Sequence, residues 1–485
     1  MDVLTPTEEQ EVAVGLFLTG ESLAIVAGAG TGKTSTLEMV ARSTPRVGSY
    51  MAYNRAVVNE IGERFPMNVQ ARTAHSLAMR AVGGRFRDRL NGDRMPSWQT
   101  ANHLGLRALM VRVGSRDKKL AGGFLAGLVT KALTAWCHSA EPEPSGSFIP
   151  FQHGLDEIGR SSNNVELRKF LDPYVKAAWE DVCAGDRGRL PVTHDHYFKA
   201  WTLGSPEIPG DFLLVDESQD LNPAMLVAVD HNARRGAQVV LVGDPAQQIY
   251  GWRGSVDAMA ELDGYLECSL SKSWRFGPAI ADVANMMLAE LGSSLVLVGN
   301  PAVDSVVGAG VADAVLCRSN MAAMEVVLRY LGEGRKPHLV GGGEDVLRFA
   351  KGVADLQETG SSTHPDLACF DSYAELQTYV EEDPHGDDLE LMVRMIEEYG
   401  LQIIIDALDG MVAERGADVI VSTAHRSKGR EWGTVRVAGD FKEPDECRGD
   451  PTEERRLLYV AATRAKDVLD IRSCEPLVER FRGWR

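Results

Sequence analysis

Residues 21 to 43, ESLAIVAGAGTGKTSTLEMVARS, constrain the fold more than any other stretch of the chain. SLAIV is a short apolar run of buried-strand type. AGAGTGKT follows it, and the residues after that place Leu37, Val40 and Ala41 at helical spacing. Strand, glycine-rich loop and helix thus occur in the order that a phosphate cradle requires. Glycines let backbone N–H groups converge on an anion, and the helix N-terminus adds a favourable field. Ala27, Gly28, Ala29, Gly30, Thr31 and Gly32 form the loop, Lys33 is expected to reach the outer phosphates, and Thr34 is expected to set its hydroxyl on Mg²⁺. Ala27 stands where the strict pattern has glycine. The alternative is a plain glycine-rich turn.

Two further strand ends extend this pattern. DFLLVDESQD, residues 211 to 220, ends an apolar run in Asp216 and Glu217. A carboxylate there can hold Mg²⁺, and a second one can deprotonate an attacking water. Alone, such a pair is often a solvated strand end; with the upstream loop it points to nucleoside triphosphate hydrolysis. GDPAQQIYGWRG, residues 243 to 254, follows the run QVVLV. In a parallel sheet these strand ends lie along one edge, where ligands bind. Gln247 is then in reach of a γ-phosphate or its water. Tyr250, Trp252 and Arg253 sit further along and can stack on bases, which suits sequence-independent contact with single strands. Packing of a domain interface is the alternative for Tyr250 and Trp252.

Bulk properties set the frame. A length of 485 residues suggests about three or four folded units. With 44% hydrophobic and 25% charged residues the composition is that of globular protein. No run is long enough to span a membrane, and the polar start MDVLTPTEEQ does not read as a secretory signal. Seven scattered cysteines without a CxxC pair argue for reduced thiols, against a zinc site and for a cytoplasmic setting. That setting would be nucleoid-associated in a bacterium or the host cytoplasm for a phage protein. A net charge of −18 disfavours nucleic-acid binding over the whole surface but permits a local basic channel.

The ordered segments LTPTEEQ, AGAGTGKT, YMAYNRAVVNEI, ARTAHSLA, DESQD, GDPAQQIYGWRG, SWRFGPAI, AVLCRSN, STAHRSKGREW and EERRLLYVAATRAK frame nearly the whole chain. Together they resemble superfamily 1 DNA helicases of the UvrD/Rep class, and the helicase core of F-box DNA helicases in particular. The resemblance implies ATP and Mg²⁺ as cofactors. It implies that Gln10 reads the adenine edge, that Thr34 and Asp216 hold the metal, that Glu217 is the catalytic base, and that Gln247 senses the γ-phosphate. Arg275 and Arg464 would clamp the transferring phosphate from a second motor domain, and Glu431 would bind the ribose. Tyr53, Asn54, His75, Tyr250, Trp252, Arg253, Thr423 and His425 match positions lining the single-strand path; a core role is the alternative for Tyr53 and His75. Ser35 stands where the family often has an adenine-facing arginine, Trp274 where it usually has tyrosine, and Arg430 and Trp432 where it has Leu and Phe. These departures bear on nucleotide preference.

The implied architecture is α/β: two RecA-like P-loop motor domains, each a parallel sheet flanked by helices. Motif spacing divides the chain into a first motor domain (1–82 and 190–265) split by a mainly helical insertion (83–189). A second motor domain (266–344 and 411–485) is split by a small insertion (345–410). NHLGLRALMVRV, FLAGLVTKALTAWCHS and NVELRKFLDPYVKAAWEDVC are the expected helices of the first insertion. The second is expected to hold two helices around the acidic run EEDPHGDD. Expected partners are single-stranded and duplex DNA, with possible replication or recombination proteins, no membrane, and a functional monomer. The implied activity is ATP-driven 3′ to 5′ movement that unwinds duplex in repair, recombination or replication. Two alternatives stay open: a translocase that displaces bound proteins without processive unwinding, and a nucleotide-switched DNA-binding protein with little turnover.

Overall fold

The computed structural model describes residues 5–52, 58, 64–90, 95–157, 162–251, 258–261, 264–382, 387–444 and 450–484. Two compact units divide the chain. One comprises 1–77, 205–342 and 411–485; the other comprises 78–204 and 343–410.

The first unit holds two six-stranded sheets. The strands of the first are β1 (Leu23–Ala27), β2 (Gly48–Ala52), β3 (Val69–Thr73), β4 (Phe212–Val215), β5 (Gln238–Gly243) and β6 (Leu266–Leu270). They run parallel in the order β3-β2-β4-β5-β1-β6. Every residue of β4 and β5 is buried, as a parallel strand covered on both faces requires. Helix α1 (Glu8–Leu18) precedes the sheet, and its Thr7 and Gln10 close a reciprocal capping box. Helix α2 (Lys33–Arg42) follows β1 directly.

The second sheet contains β7 (Val306–Val307), β8 (Ala314–Cys317), β9 (Pro337–Leu339), β10 (Val419–Thr423), β11 (Trp432–Val437) and β12 (Ala465–Asp470). It is again wholly parallel, in the order β9-β10-β8-β11-β12-β7. Helices α3 (Pro278–Glu290) and α4 (Pro451–Ala462) pack against each other within its core. Two parallel sheets flanked by helices are the α/β architecture that the motif order implies. One strand falls on the other side of the expected boundary. Residues 266–270, grouped with the second motor domain on motif spacing, pair with β1 as the edge of the first sheet. The edge strand alternates outward-facing Glu267 and Ser269 with more enclosed residues, so it lacks the continuous apolar run that marks the central strands.

The second unit is built from both insertions. Helices Ser97–Leu104, Gly122–His138, Ser162–Cys183 and His194–Thr202 come from 78–204. Glu344–Thr359, Tyr373–Glu382, Asp387–Tyr399 and Leu401–Asp409 come from 343–410, four helices where the sequence suggested two. The segment 360–372, which opens on the left-handed Gly360 at φ 69°, and Gly400 at φ 81° divide the run into more helices. NHLGLRALMVRV is not one helix. The helix stops at Leu104 because Gly105 takes the left-handed conformation at φ 72°, and Leu109–Val113 forms a hairpin with Arg116–Leu120. Alternating exposure and the β-branched Val111 and Val113 favour the strand.

Lys118 fastens the two insertions together. Only 4% exposed, its Nζ donates to the Gly154 carbonyl at 3.0 Å, the Cys369 carbonyl at 2.5 Å and the Glu375 carboxylate at 2.7 Å. Removing one member of a buried pair costs about 3–5 kcal/mol, and the partial exposure of Glu375 lowers that to about 2–3 kcal/mol. Lys118→Met is therefore expected to speed amide hydrogen exchange in residues 367–380. Unchanged exchange there would show that the ammonium is dispensable. Among the described residues no helix is long and apolar enough to cross a membrane.

Candidate active site

The loop after β1 owes its shape to glycine. Gly30 and Gly32 have φ of 74° and 82°, and Gly32 is the left-handed residue that starts α2. A side chain at Gly30 would also strike Arg275 and Ser273. The loop therefore gathers backbone N–H groups at the helix N-terminus, the arrangement of an anion cradle, although the Ala29 N–H is taken by the Tyr459 hydroxyl at 3.2 Å. Ala27 ends β1, and Thr31 turns its hydroxyl back onto the Gly28 carbonyl at 2.9 Å.

The carboxylates of the β4 end meet the start of α2. Thr34 Oγ1 donates to Asp216 Oδ2 at 2.8 Å, and the Tyr50 hydroxyl donates to the same oxygen at 2.9 Å. Lys33 Nζ lies 3.7 Å from Glu217 Oε1, and Gln219 Nε2 donates to Glu217 Oε2 at 2.6 Å. Burial and the adjacent Glu217 push the Asp216 carboxyl above its ordinary range. Burial opposes ionisation of Glu217 too, but the positive charges of Lys33 and Lys428 outweigh it and hold that carboxyl below its ordinary value. Glu217 has φ 52° and ψ 44°, alone among the described non-glycine residues in having positive φ. Such a conformation costs about 1–3 kcal/mol and persists only where the surroundings impose it.

The end of β5 and the start of the next turn form the third side. Gln247 Nε2 donates to Asp244 Oδ2 at 2.6 Å, and Gln247 Oε1 accepts from Arg464 Nη2 at 3.1 Å. Arg464 is 2% exposed; burial, and then Arg275, pull its guanidinium down to about 9. Arg275 donates to Glu431 at 2.7 Å and to the Thr463 carbonyl at 3.0 Å. Glu431 also faces Lys466 at 3.7 Å. The two sheets thus bring Lys33, Thr34, Asp216, Glu217, Gln247, Arg275, Glu431 and Arg464 to one locality.

An indole ring adjoins the loop. Trp274 donates its backbone N–H to the Gly30 carbonyl at 2.8 Å, and Lys272 Nζ stands 4.2 Å from its ring centre. Gln10 is buried beside Gly32 and donates to Thr36 Oγ1 at 3.1 Å. Position 35 is an exposed serine, yet a guanidinium stands beside it: Arg64 donates to Ser35 Oγ at 3.3 Å and pairs with Glu38 at 3.0 Å.

The residues assigned to a strand path are more scattered. Tyr250 packs against the core of the second sheet and donates its hydroxyl to the His425 carbonyl at 3.1 Å. Thr423 is buried and caps the short helix Ala424–Ser427; His425 and His75 are half-buried. Tyr53, Asn54, Trp252 and Arg253 lie outside the described residues.

Several participants carry no mark that single-residue reasoning picked out. Lys428 donates to Asp220 at 2.7 Å and to the Gln247 carbonyl at 2.6 Å. Burial raises Asp220 to about 6 and lowers Lys428, their attraction offsetting part of both shifts. Tyr459 donates to Asp244 Oδ2 at 3.0 Å while its oxygen accepts from the Ala29 N–H at 3.2 Å. Both sit inside quoted motifs, SKGREW and LLYVAATRAK, so proximity to a named residue is the signal that would have found them.

Similarity to known proteins agrees with this geometry. The AAA domain family model matches residues 10–253, half of the chain, and the UvrD-like helicase C-terminal domain model matches residues 418–469. F-box DNA helicase 1 of Gallus gallus is 29% identical over 506 residues, covering 95% of this chain and 48% of that protein. F-box DNA helicase protein 1 of Schizosaccharomyces pombe is 28% identical over 519 residues, covering 95% and 56%. A probable DNA helicase of Mycoplasma pneumoniae is 38% identical over 82 residues, 16% of each chain. The chain spans about half the length of the first two relatives. With a matching family model over half its length and the helicase C-terminal model beyond it, the chain belongs to the UvrD-like superfamily 1 helicases.

Proposed function

We propose that the chain is an ATP-dependent DNA helicase that travels 3′ to 5′ on a single strand. The observation that carries this reading is the reach of Arg464, from the second sheet, to Gln247, on the first, at 3.1 Å. Groups from two sheets that meet at one phosphate site make nucleotide state a lever on their separation. ATP would rest in the loop 27–32 with Lys33 on its outer phosphates. Thr34 and Asp216 offer a hydroxyl and a carboxylate 2.8 Å apart, hard oxygen donors of the kind Mg²⁺ takes together with substrate phosphates. Mg²⁺ would supply charge neutralisation there. Glu217 would take the proton of the attacking water, and Gln247, Arg275 and Arg464 would stabilise charge on the transferring phosphoryl group.

Thr423, His425, His75 and Tyr250, with Tyr53, Asn54, Trp252 and Arg253, would line the DNA path. Two relatives bear the name of DNA helicases over most of this chain's length, which supports DNA as the track. ATPase assays with and without single strands, beside unwinding of substrates tagged at either end, test the reading. Stimulation with 3′-tail-dependent unwinding is expected. Stimulation with protein displacement but no unwinding would favour the translocase; an absence of turnover would favour a nucleotide switch.

The base of ATP would lie against Trp274, with Gln10 at its edge, Glu431 on the ribose and Arg64 supplying the cation that Ser35 does not. A cation over an exposed ring is worth about 0.5–1 kcal/mol, so Arg64→Ala should raise KM for ATP about 2- to 5-fold with kcat nearly unchanged. An unaltered KM would remove Arg64 from the base site.

A further inference from the structure

We infer that Tyr459 and Asp244 are a positioning pair that fixes the orientation of the Gln247 amide and fastens the Arg464 helix to the phosphate loop. This rests on the hydrolytic reading of the same site. The argument begins with hydrogen-bond polarity. A glutamine amide has one accepting end and one donating end, and a carboxylate only accepts. Asp244 Oδ2 sits 2.6 Å from one end of Gln247, so that end must be the NH₂. The oxygen is thereby turned to the other side, where Arg464 Nη2 meets it at 3.1 Å. Reversed, the amide would set its oxygen against the carboxylate and its NH₂ against the guanidinium, two repulsions in a water-poor site.

Tyr459 completes the circuit. Its hydroxyl donates to the same Oδ2 at 3.0 Å and accepts from the N–H of Ala29, within the phosphate loop, at 3.2 Å. Tyr459 and Arg464 lie five residues apart at the end of α4 and just beyond it. A closed ring results, from Tyr459 through Asp244, Gln247 and Arg464 and back along the chain to Tyr459, with Ala29 tied to it through the Tyr459 hydroxyl. Tyr459, Asp244, Gln247 and Arg464 are each no more than 4% exposed. A shift of α4 therefore breaks bonds to the loop and to Gln247 together. The seating of Arg464 and the orientation of Gln247 are one event rather than two.

Tyr459→Phe removes the hydroxyl and keeps the ring. Hydrogen bonds to charged groups are worth enough that their loss should lower kcat for ATP about 10- to 100-fold. KM for ATP and affinity for ADP should stay within about twofold, because no group that binds ground-state nucleotide is lost. Affinity for ADP with aluminium fluoride should fall with kcat. Asp244→Asn is the second variant: with its oxygen in the Oδ2 place the amide sets its NH₂ against the Ala246 N–H, which donates to Oδ1 at 3.1 Å, and turned over it sets the NH₂ against Gln247 and Tyr459, so an acceptor is lost in either orientation. It should show the same split, and melting temperatures of both variants identify any loss that comes from unfolding. A Tyr459→Phe protein with wild-type kcat and fluoride-complex affinity overturns the proposal, as does a fall in kcat matched by an equal fall in ADP affinity. Basal turnover suffices for the comparison, so a wild-type ATPase that DNA fails to stimulate would sink the helicase reading and leave this one standing.

Discussion

Glu217→Gln is expected to bind ATP as the parent does and to lose about 10² to 10⁴ in DNA-stimulated turnover, the range for one positioned general base. The amide keeps the size of the carboxyl and its bond from Gln219, and it cannot take a proton. Lys33, which faces Glu217 at 3.7 Å, loses a charge partner and gains freedom to meet phosphate, so ATP affinity should hold or rise. The backbone adds an independent check. A residue held at φ 52° pays for its place in a way glycine does not, and the left-handed region costs an ordinary residue about 1–2 kcal/mol. Glu217→Gly should therefore match or exceed the parent in melting temperature while its turnover collapses like that of the glutamine variant. Stability retained and rate lost is the signature of a strained catalytic position. A glutamine variant with near-normal kcat would assign the base elsewhere; a glycine variant that melts early would mean that the carboxylate holds the fold.

The order of motifs made the two parallel sheets legible because each central strand is a short apolar run ending in a chemically marked residue. SLAIV, FLLV and QVVLV are of this kind, and all three are buried neighbours in one sheet. Edge strands are legible to a lesser degree. Leu266–Leu270 alternates, and Val69–Thr73 carries Gln70 and Arg72, so neither displays the continuous run that full burial imposes. The union of the two insertions was invisible for a different reason. Lys118 and Cys369 are 251 positions apart, and a lysine on a strand reads as solvated until its acceptors are in place. At the site, the groups proposed to face phosphate belong to recognisable motifs, whereas Tyr459 and Lys428 bond to other side chains and the backbone. Tyrosine before a helix end has an ordinary explanation in packing, and only the positions of Ala29 and Asp244 reveal its second partner. Arg64 lies outside every motif; a serine at position 35 displays what is missing there, not what replaces it.

Arg464→Lys is the decisive change at the site, with loss of about 10³-fold or more in kcat expected if the guanidinium acts on the phosphoryl group, the range for an arginine in that role. Arginine is held here by four acceptors. Its Nε donates to the Val460 carbonyl at 3.0 Å, Nη1 to the Arg430 carbonyl at 3.4 Å, and Nη2 to Gln247 Oε1 at 3.1 Å and Thr463 Oγ1 at 3.3 Å. Three nitrogens in one plane thus span groups from α4, the segment before β11 and the first sheet. Lysine carries the charge on a single nitrogen and cannot reach all of these directions. It should retain the fold better than alanine, which leaves a cavity and unpaired acceptors in a buried place. If the guanidinium acts on the phosphoryl group, the lysine variant keeps its melting temperature near the parent, keeps single-strand affinity, and loses turnover almost as fully as alanine. If Arg464 only props the interface, turnover should instead track stability, with lysine active and alanine both unstable and slow. Measuring kcat, melting temperature and single-strand affinity on both variants separates the two, and a fully active Arg464→Lys enzyme would end the transition-state role.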